Sequence, residues 1–214
     1  VGAWLQPAKD TRRVPLECTV RWPGIANARC RRRPKALETE RAAYAWRGLR
    51  CPEPWCALVR PGERVLVEQP AYEALYRAPA VLGAEIVRLP RRATHRWQID
   101  PDELEGLLTP NTKCVLLTNL HNPSGMLLER SLLEDIGERC AKRGVFVLVD
   151  EVYLDFVFDT REESFAMPAA NMLETGISWS STTKCFGVSA ARAGWIVTRH
   201  EAALAALGAL EDGR

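Results

Sequence analysis

Two short stretches, KCVLLTN (113–119) and VFVLVD (145–150), constrain the fold more than any other feature of the chain. Each is an almost unbroken apolar run of strand length, rich in Val and Leu. A strand with one wet face alternates apolar with polar residues, whereas a strand that is apolar throughout must be covered on both faces. Between the two runs, Glu129 to Arg143 has helical spacing, with Leu132, Leu133, Ile136 and Cys140 on one side and Gly144 as a stop. Strand, helix, strand is the unit that joins parallel neighbours in a sheet. The alternation extends in both directions. RVLVEQ (64–69) predicts a strand, Tyr72 to Leu82 a helix closed by Gly83, and AEIVRLP (84–90) a second strand. Asp100-Pro101 predicts a capped helix to about Leu108, with Asp as the cap and Pro in the first turn. Gly176–Ser180 and Gly194–Thr198 read as two more strands, and Glu201 opens a helix running to Leu210. The predicted class is α/β: a mostly parallel central sheet with helices on both faces.

Composition limits the function classes. The 214 residues are 47% hydrophobic and 26% charged, the balance of a globular protein with a core of its own. No run approaches the roughly 20 apolar residues a membrane helix needs, and the opening VGAWLQPAKDTRR lacks the pattern of a secretory signal. The seven cysteines are scattered without CxxC spacing, which points away from a disulfide framework and from a zinc site. A reducing cytoplasm is therefore the expected compartment, and Cys114 and Cys140 are expected to be small core residues. Charge is uneven. Residues 1–60 hold 13 Lys and Arg against 5 Asp and Glu; the rest hold 16 against 22. A basic segment suits nucleic acid, but this one shows no helix-turn-helix pattern, and nucleic-acid binding is not expected.

The polar residues gather at the ends of the predicted strands. In open α/β sheets, ligands bind outside the carboxyl ends of the strands. The strand at 113–119 runs into His121-Asn122-Pro123-Ser124-Gly125, the strand at 145–150 ends in Asp150 followed by Glu151-Val152-Tyr153, and the strand at 176–180 leads to Ser181, Thr183 and Lys184. Taken singly, Asn-Pro-Ser-Gly is a β-turn, Asp150 a helix cap and Lys184 a surface charge. Together they bring an amide, a carboxylate and an amine to one edge of a sheet.

NLHNPSG (119–125), VLVDEVYLDF (147–156) and SSTTKCFGVSAARAGW (180–195) resemble, in order and spacing, the motifs of the class I/II pyridoxal-phosphate-dependent aminotransferases, the aspartate-aminotransferase-like fold. A looser likeness begins near RPGERVLVEQPAY (60–72), and the whole covers about 140 residues, to about Arg199. The resemblance implies pyridoxal 5′-phosphate as cofactor and an amino acid and a 2-oxo acid as substrates. It implies Lys184 as the amine that forms a Schiff base with the cofactor and moves the substrate α-proton. Asp150 is implied as the carboxylate that keeps the pyridine nitrogen protonated. Tyr153 and Asn122 would donate to the cofactor's phenolic oxygen. Ser181, Thr183 and Arg192 would hold its phosphate through two hydroxyls and a guanidinium. Tyr72 would stack on the ring; its other reading is a partly buried aromatic at a helix start. A homodimer is implied as well.

Two departures from the family pattern lower the activity expected of this chain. The family carries a Gly-rich turn opening a phosphate-binding helix ahead of the segment matching LVRPGE. Here that region reads AYAWRGLRCPEPW (43–55), in which Pro52 and Pro54 are expected to break such a helix. The Arg-, Cys-, Trp- and Pro-rich composition of about 16–56 is what out-of-frame translation of a GC-rich gene, or decay, produces, with frame regained near Ala57. The second departure is length: the family chain is roughly twice as long, and the small domain that grips the substrate carboxylate is expected to be absent. The expected organisation is an atypical basic segment at 1–56, the large domain at 57–200 and the start of a linking helix at 201–214. Beside amino transfer stand another reaction on the same cofactor (lyase, racemase or decarboxylase) and a non-catalytic regulatory domain of the same fold.

Overall fold

The computed structural model describes residues 43–47, 54–157, 167–191 and 193–211. Seven strands form one sheet: β1 (Ala43–Arg47), β2 (Arg64–Gln69), β3 (Glu85–Pro90), β4 (Thr112–Thr118), β5 (Phe146–Asp150), β6 (Gly176–Ser181) and β7 (Ala193–Thr198). Their order is β1-β7-β6-β5-β4-β2-β3. The pairs β6–β5, β5–β4, β4–β2 and β2–β3 are parallel. β7 runs antiparallel to both of its neighbours. The helices are α1 (Pro54–Leu58), α2 (Glu73–Val81), α3 (Pro101–Leu107), α4 (Arg130–Ala141) and two more at Ala169–Met172 and Glu201–Glu211.

The apolar strands sit where their composition requires. Cys114, Val115, Leu116 and Leu117 of β4 have no exposed surface. Alternation along the strands divides the core into two layers. On one face Val65, Val67, Leu116, Leu148 and Ile177 meet Trp55 and Leu58 of α1, Leu75 of α2, and Ala203 and Leu207 of the helix Glu201–Glu211. On the other face Leu66, Val115, Leu117, Val147 and Val149 meet Leu104 of α3 and Leu133, Ile136 and Cys140 of α4. The sheet is therefore covered by helices on both faces, as the sequence predicts. Local signals hold as well. The Asp100 carboxylate accepts the amides of Asp102 and Glu103 at 2.9 and 3.3 Å, and Gly83 ends α2 at φ 85°, a left-handed conformation that glycine adopts at no steric cost.

Ala43–Arg47 forms the edge strand β1, paired along its length with β7 from Ala43 opposite Val197 to Arg47 opposite Ala193. A helix begins only at Pro54, its first residue. Proline is at home there, because the first amides of a helix have no partner to lose. Trp55 of that helix is 2% exposed and packs edge-on against Trp179 at 5.5 Å. The remainder of the frame-error reading of 16–56 falls on residues outside those described. Trp55→Ala should cost about 3–5 kcal/mol of stability, the usual loss for truncating a buried aromatic. Urea unfolding followed through the midpoint and slope measures this, and a loss below about 1 kcal/mol would show that α1 adds little to the core.

Candidate functional site

Parallel register brings the predicted residues together. Thr118, the last residue of β4, lies opposite Asp150, the last of β5, and Asp150 lies opposite Trp179 of β6. The ladder continues just past the strands: the Asn119 amide donates to the Asp150 carbonyl at 2.8 Å, and the Glu151 amide to the Trp179 carbonyl at 2.9 Å. The loops bearing Asn122, Tyr153 and Lys184 therefore leave three adjacent strands at one level. β2 lies next to β4 in the sheet, and Tyr72 follows its end.

The lysine loop is closed on itself. The Val188 amide donates to the Thr182 carbonyl at 2.9 Å and the Thr182 hydroxyl returns to the Val188 carbonyl at 3.3 Å. Gly187 turns the chain at φ 67°, which is the local reason for a glycine there. Ser181 Oγ accepts the Thr183 amide at 3.3 Å. Lys184 stands out from this loop, exposed, with Nζ 5.9 Å from the centre of the Tyr153 ring. The Cys185 thiol donates to the Val152 carbonyl at 3.0 Å, joining the lysine loop to the Asp150–Tyr153 segment.

Asp150 is partly covered, and one of its oxygens accepts the Val152 amide at 3.1 Å. It begins a tight turn rather than capping a helix. Burial presses its pKa up to about 7, while the Val152 amide and then the Lys184 ammonium pull it back. A carboxylate so poorly compensated at a strand end calls for a nearby cation. Glu151, next in sequence, is buried and faces elsewhere. Its Oε1 accepts the Ala169 amide at 2.7 Å and the Ser178 hydroxyl at 2.8 Å, and burial raises its pKa to about 8. Tyr72 is 60% exposed at the start of α2, so the alternative of a partly buried helix-start aromatic does not hold. Arg192 lies outside the described residues. The structure thus brings Asp150, Tyr153 and Lys184 together, with Asn122 on the adjoining strand end, Ser181 and Thr183 in the lysine loop, and Tyr72 after the next strand.

Sequence reasoning passed over a buried polar group beside these loops: Glu68, Arg91, Thr118 and His121 are each no more than 3% exposed. Their signal was present in the sequence, as a carboxylate ending the apolar run Val65-Leu66-Val67 and a histidine inside the Asn-Pro-Ser-Gly turn.

The family model for aminotransferase class I and II matches residues 54–213. The chain belongs to the class I and II aminotransferases. It is 31% identical over 142 residues to the arginine–pyruvate transaminase AruH of Pseudomonas aeruginosa, covering 65% of this chain and 35% of that protein. It is 33% identical over 144 residues to the threonine-phosphate decarboxylase of Salmonella typhimurium, covering 66% and 38%. Among solved structures, a PLP-dependent aminotransferase from Streptococcus suis superimposes with a TM-score of 0.66 at 28% identity over 74% of this chain and 41% of that one. The N-succinyldiaminopimelate aminotransferase of Mycobacterium tuberculosis gives 0.62 at 31% identity, over 72% and 40%. The chain spans little more than a third of the curated relatives it matches. The cofactor of the family is pyridoxal phosphate.

The donor set fits that cofactor. An under-compensated carboxylate suits a protonated ring nitrogen, an exposed amine suits an aldehyde, and hydroxyls in the same loop suit a phosphate. The elevated Asp150 pKa also fixes a pH dependence. A carboxyl group with its folded pKa raised from 3.8 to about 7 costs nothing below the lower value, and stability falls as pH rises through the interval. Asp150→Asn removes that loss. At pH 8 the variant should be more stable than the parent by roughly 2 kcal/mol, about half the full shift because the group is partly solvated. At pH 4 the two should be alike. Thermal unfolding of both without cofactor, at the two pH values, checks the sign.

Proposed function

We propose that this chain is the cofactor-bearing part of an aminotransferase that moves an amino group between an amino acid and a 2-oxo acid. The observation that carries the reading is the meeting of Asp150, Tyr153 and Lys184 across adjacent parallel strands, with the Lys184 amine 5.9 Å from the Tyr153 ring centre. Bound pyridoxal phosphate supplies an aldehyde for covalent attachment and a ring that accepts the electron pair released at the substrate α-carbon. The protein supplies the rest. Lys184 provides the attaching amine and, once displaced, the base that holds the α-proton at Nζ. The Asp150 carboxylate holds a proton on the ring nitrogen. The Tyr153 hydroxyl and the Asn122 side-chain amide donate to the phenolic oxygen, and the hydroxyls of Ser181 and Thr183, with Arg192, take the phosphate. Tyr72 covers a ring face. Residues 57–200 are assigned to the cofactor domain and 201–214 to the start of the linking segment. Assembly as a homodimer in the cytoplasm belongs to the same reading.

A second reading has a specific support. The decarboxylase from Salmonella is as similar to this chain as the aminotransferases are, and the same lysine and aspartate serve loss of carbon dioxide equally well. The two differ in which bond at the α-carbon breaks, which the residues of this chain do not select.

Incubation with pyridoxal phosphate followed by borohydride should fix the cofactor on the peptide containing SSTTKCFGVSAAR, through Lys184. Lys184→Ala should abolish both the label and any visible absorbance. Label on a different lysine with Lys184 unmodified would overturn the assignment. In a chain with full family length, formation of a 2-oxo acid from the donor amino acid supports amino transfer, and carbon dioxide release supports the second reading.

A further inference from the structure

We propose that His121 is a positioning residue: as a neutral imidazole with its proton on Nε2, it clamps the turn that carries Asn122 to the segment that carries Tyr72. The proton assignment follows from the partners. His121 Nε2 lies 2.9 Å from the Pro70 carbonyl oxygen, which can only accept, so Nε2 must donate. Nδ1 is then bare and accepts from the Ser124 hydroxyl at 2.6 Å. The Ser124 oxygen in turn accepts the Met126 amide at 3.3 Å. The result is a directed chain of hydrogen bonds from Met126 through Ser124 and His121 to Pro70, two residues before Tyr72. The turn is closed besides by the Gly125 amide on the His121 carbonyl at 2.7 Å and the His121 amide on the Met126 carbonyl at 2.9 Å.

A second chain holds the same turn from below. The Asn122 amide donates to Thr118 Oγ1 at 3.1 Å, and the Thr118 hydroxyl donates to the Glu68 carboxylate. Glu68 pairs with Arg91 at 2.5 Å, both without exposed side-chain surface, and Arg91 also donates to the carbonyls of Trp97 at 3.0 Å and Thr118 at 3.3 Å. Two charged groups face the imidazole, Glu68 at 3.9 Å and the Arg91 guanidinium. Burial first and the Arg91 charge second hold the His121 pKa down at about 4, so the neutral form persists across the working range. A polar group in a site this dry is held only when its partners are complete. The imidazole joins the turn directly to Pro70, so the relative placement of Asn122 and Tyr72 draws on it as well as on the Thr118–Glu68 chain. The consequence for the cofactor rests on the functional reading above.

The test uses the whole chain without cofactor first. Nitrogen-15 spectra of the imidazole should show the Nε2-protonated tautomer and no titration between pH 5 and 8. His121→Phe keeps the ring and removes both bonds; Ser124→Ala, in the more open part of the turn, removes one link and spares the core. In both variants the Asn122 and Gly125 amides should exchange at least about tenfold faster, the effect of losing one well-placed hydrogen bond. Amides within β4 and β5 should keep their rates. His121→Gln, which retains a donor toward Pro70, should recover part of the protection. An Nδ1-protonated or titrating imidazole, or Asn122 exchange unchanged in both variants, overturns the proposal. Pyridoxal phosphate titration then reads the consequence: about tenfold weaker uptake in His121→Phe is expected, and uptake equal to the parent's overturns the positioning role. A parent chain that takes up no cofactor counts against the functional reading alone, because exchange and imidazole spectra decide the clamp without it.

Discussion

The in-register parallel pairing of β4, β5 and β6 is the constraint on which the site depends. Parallel strands point their carboxyl ends the same way, so pairing Thr118 with Asp150 and Asp150 with Trp179 places the three following loops at one level. A slip of one residue in β5 would exchange the faces of every side chain on it. Asp150 would turn to the face now taken by Glu151, away from the lysine loop. Burial alone does not secure the register. Leu116, Leu148 and Ile177 fill one layer, and Val115, Leu117, Val147 and Val149 the other, so a slipped strand still finds apolar neighbours. What makes a slip costly is the polar end of the strand. Glu151 has its partners, Ala169 and Ser178, on one side only.

The consecutive carboxyls Asp150 and Glu151 show how alternation separates two jobs. Glu151 lies on the side of Val147 and Val149, where its carboxyl ties the helix Ala169–Met172 to β6. Asp150 follows Leu148 and faces the lysine loop. Burial raises both pKa values, and the Asp150 charge adds to the rise at Glu151. One carboxyl can be satisfied as a neutral hydrogen-bonding group inside the fold. The other remains poorly compensated unless a cation comes to it.

Much of the fold was legible because its signals are local and periodic. Doubly apolar strands, the Asp100-Pro101 cap and Gly83 each act within a few residues, and each matched the structure to within a residue or two. The grouping of Asn122, Asp150 and Lys184 was legible for a different reason: in a parallel sheet, position after a strand already determines which edge a residue reaches. Before Ala57 the helix start at Pro54 has a local cause, since a proline at the head of a helix loses no hydrogen bond. The strand Ala43–Arg47 carries no alternating signal of its own and owes its place to β7, about 150 residues away in the chain. The polar group around Glu68 and Arg91 was missed for a related reason. Glu68 lies 23 residues from Arg91 and 53 from His121, and no local pattern joins them.

That distant grouping has a consequence for how the site is held. Loops at strand ends are the least constrained parts of an α/β domain, yet cofactor-binding side chains must stay fixed relative to one another within fractions of an ångström. The lysine loop is closed on itself by the bonds between Thr182 and Val188, and Cys185 fastens it to Val152 just past β5. The asparagine turn meets it through Thr118 and His121, which tie β4 to the buried ion pair and to the end of β2. Each loop is therefore fastened to the next strand in the row as well as to its own. An ion pair without solvent is expensive to bury and seldom adds net stability. The Glu68–Arg91 pair stands under the loop junction, with the two terminal nitrogens of Arg91 also donating to the carbonyls of Trp97 and Thr118. Its worth lies in fixing the junction of the asparagine turn with the end of β2.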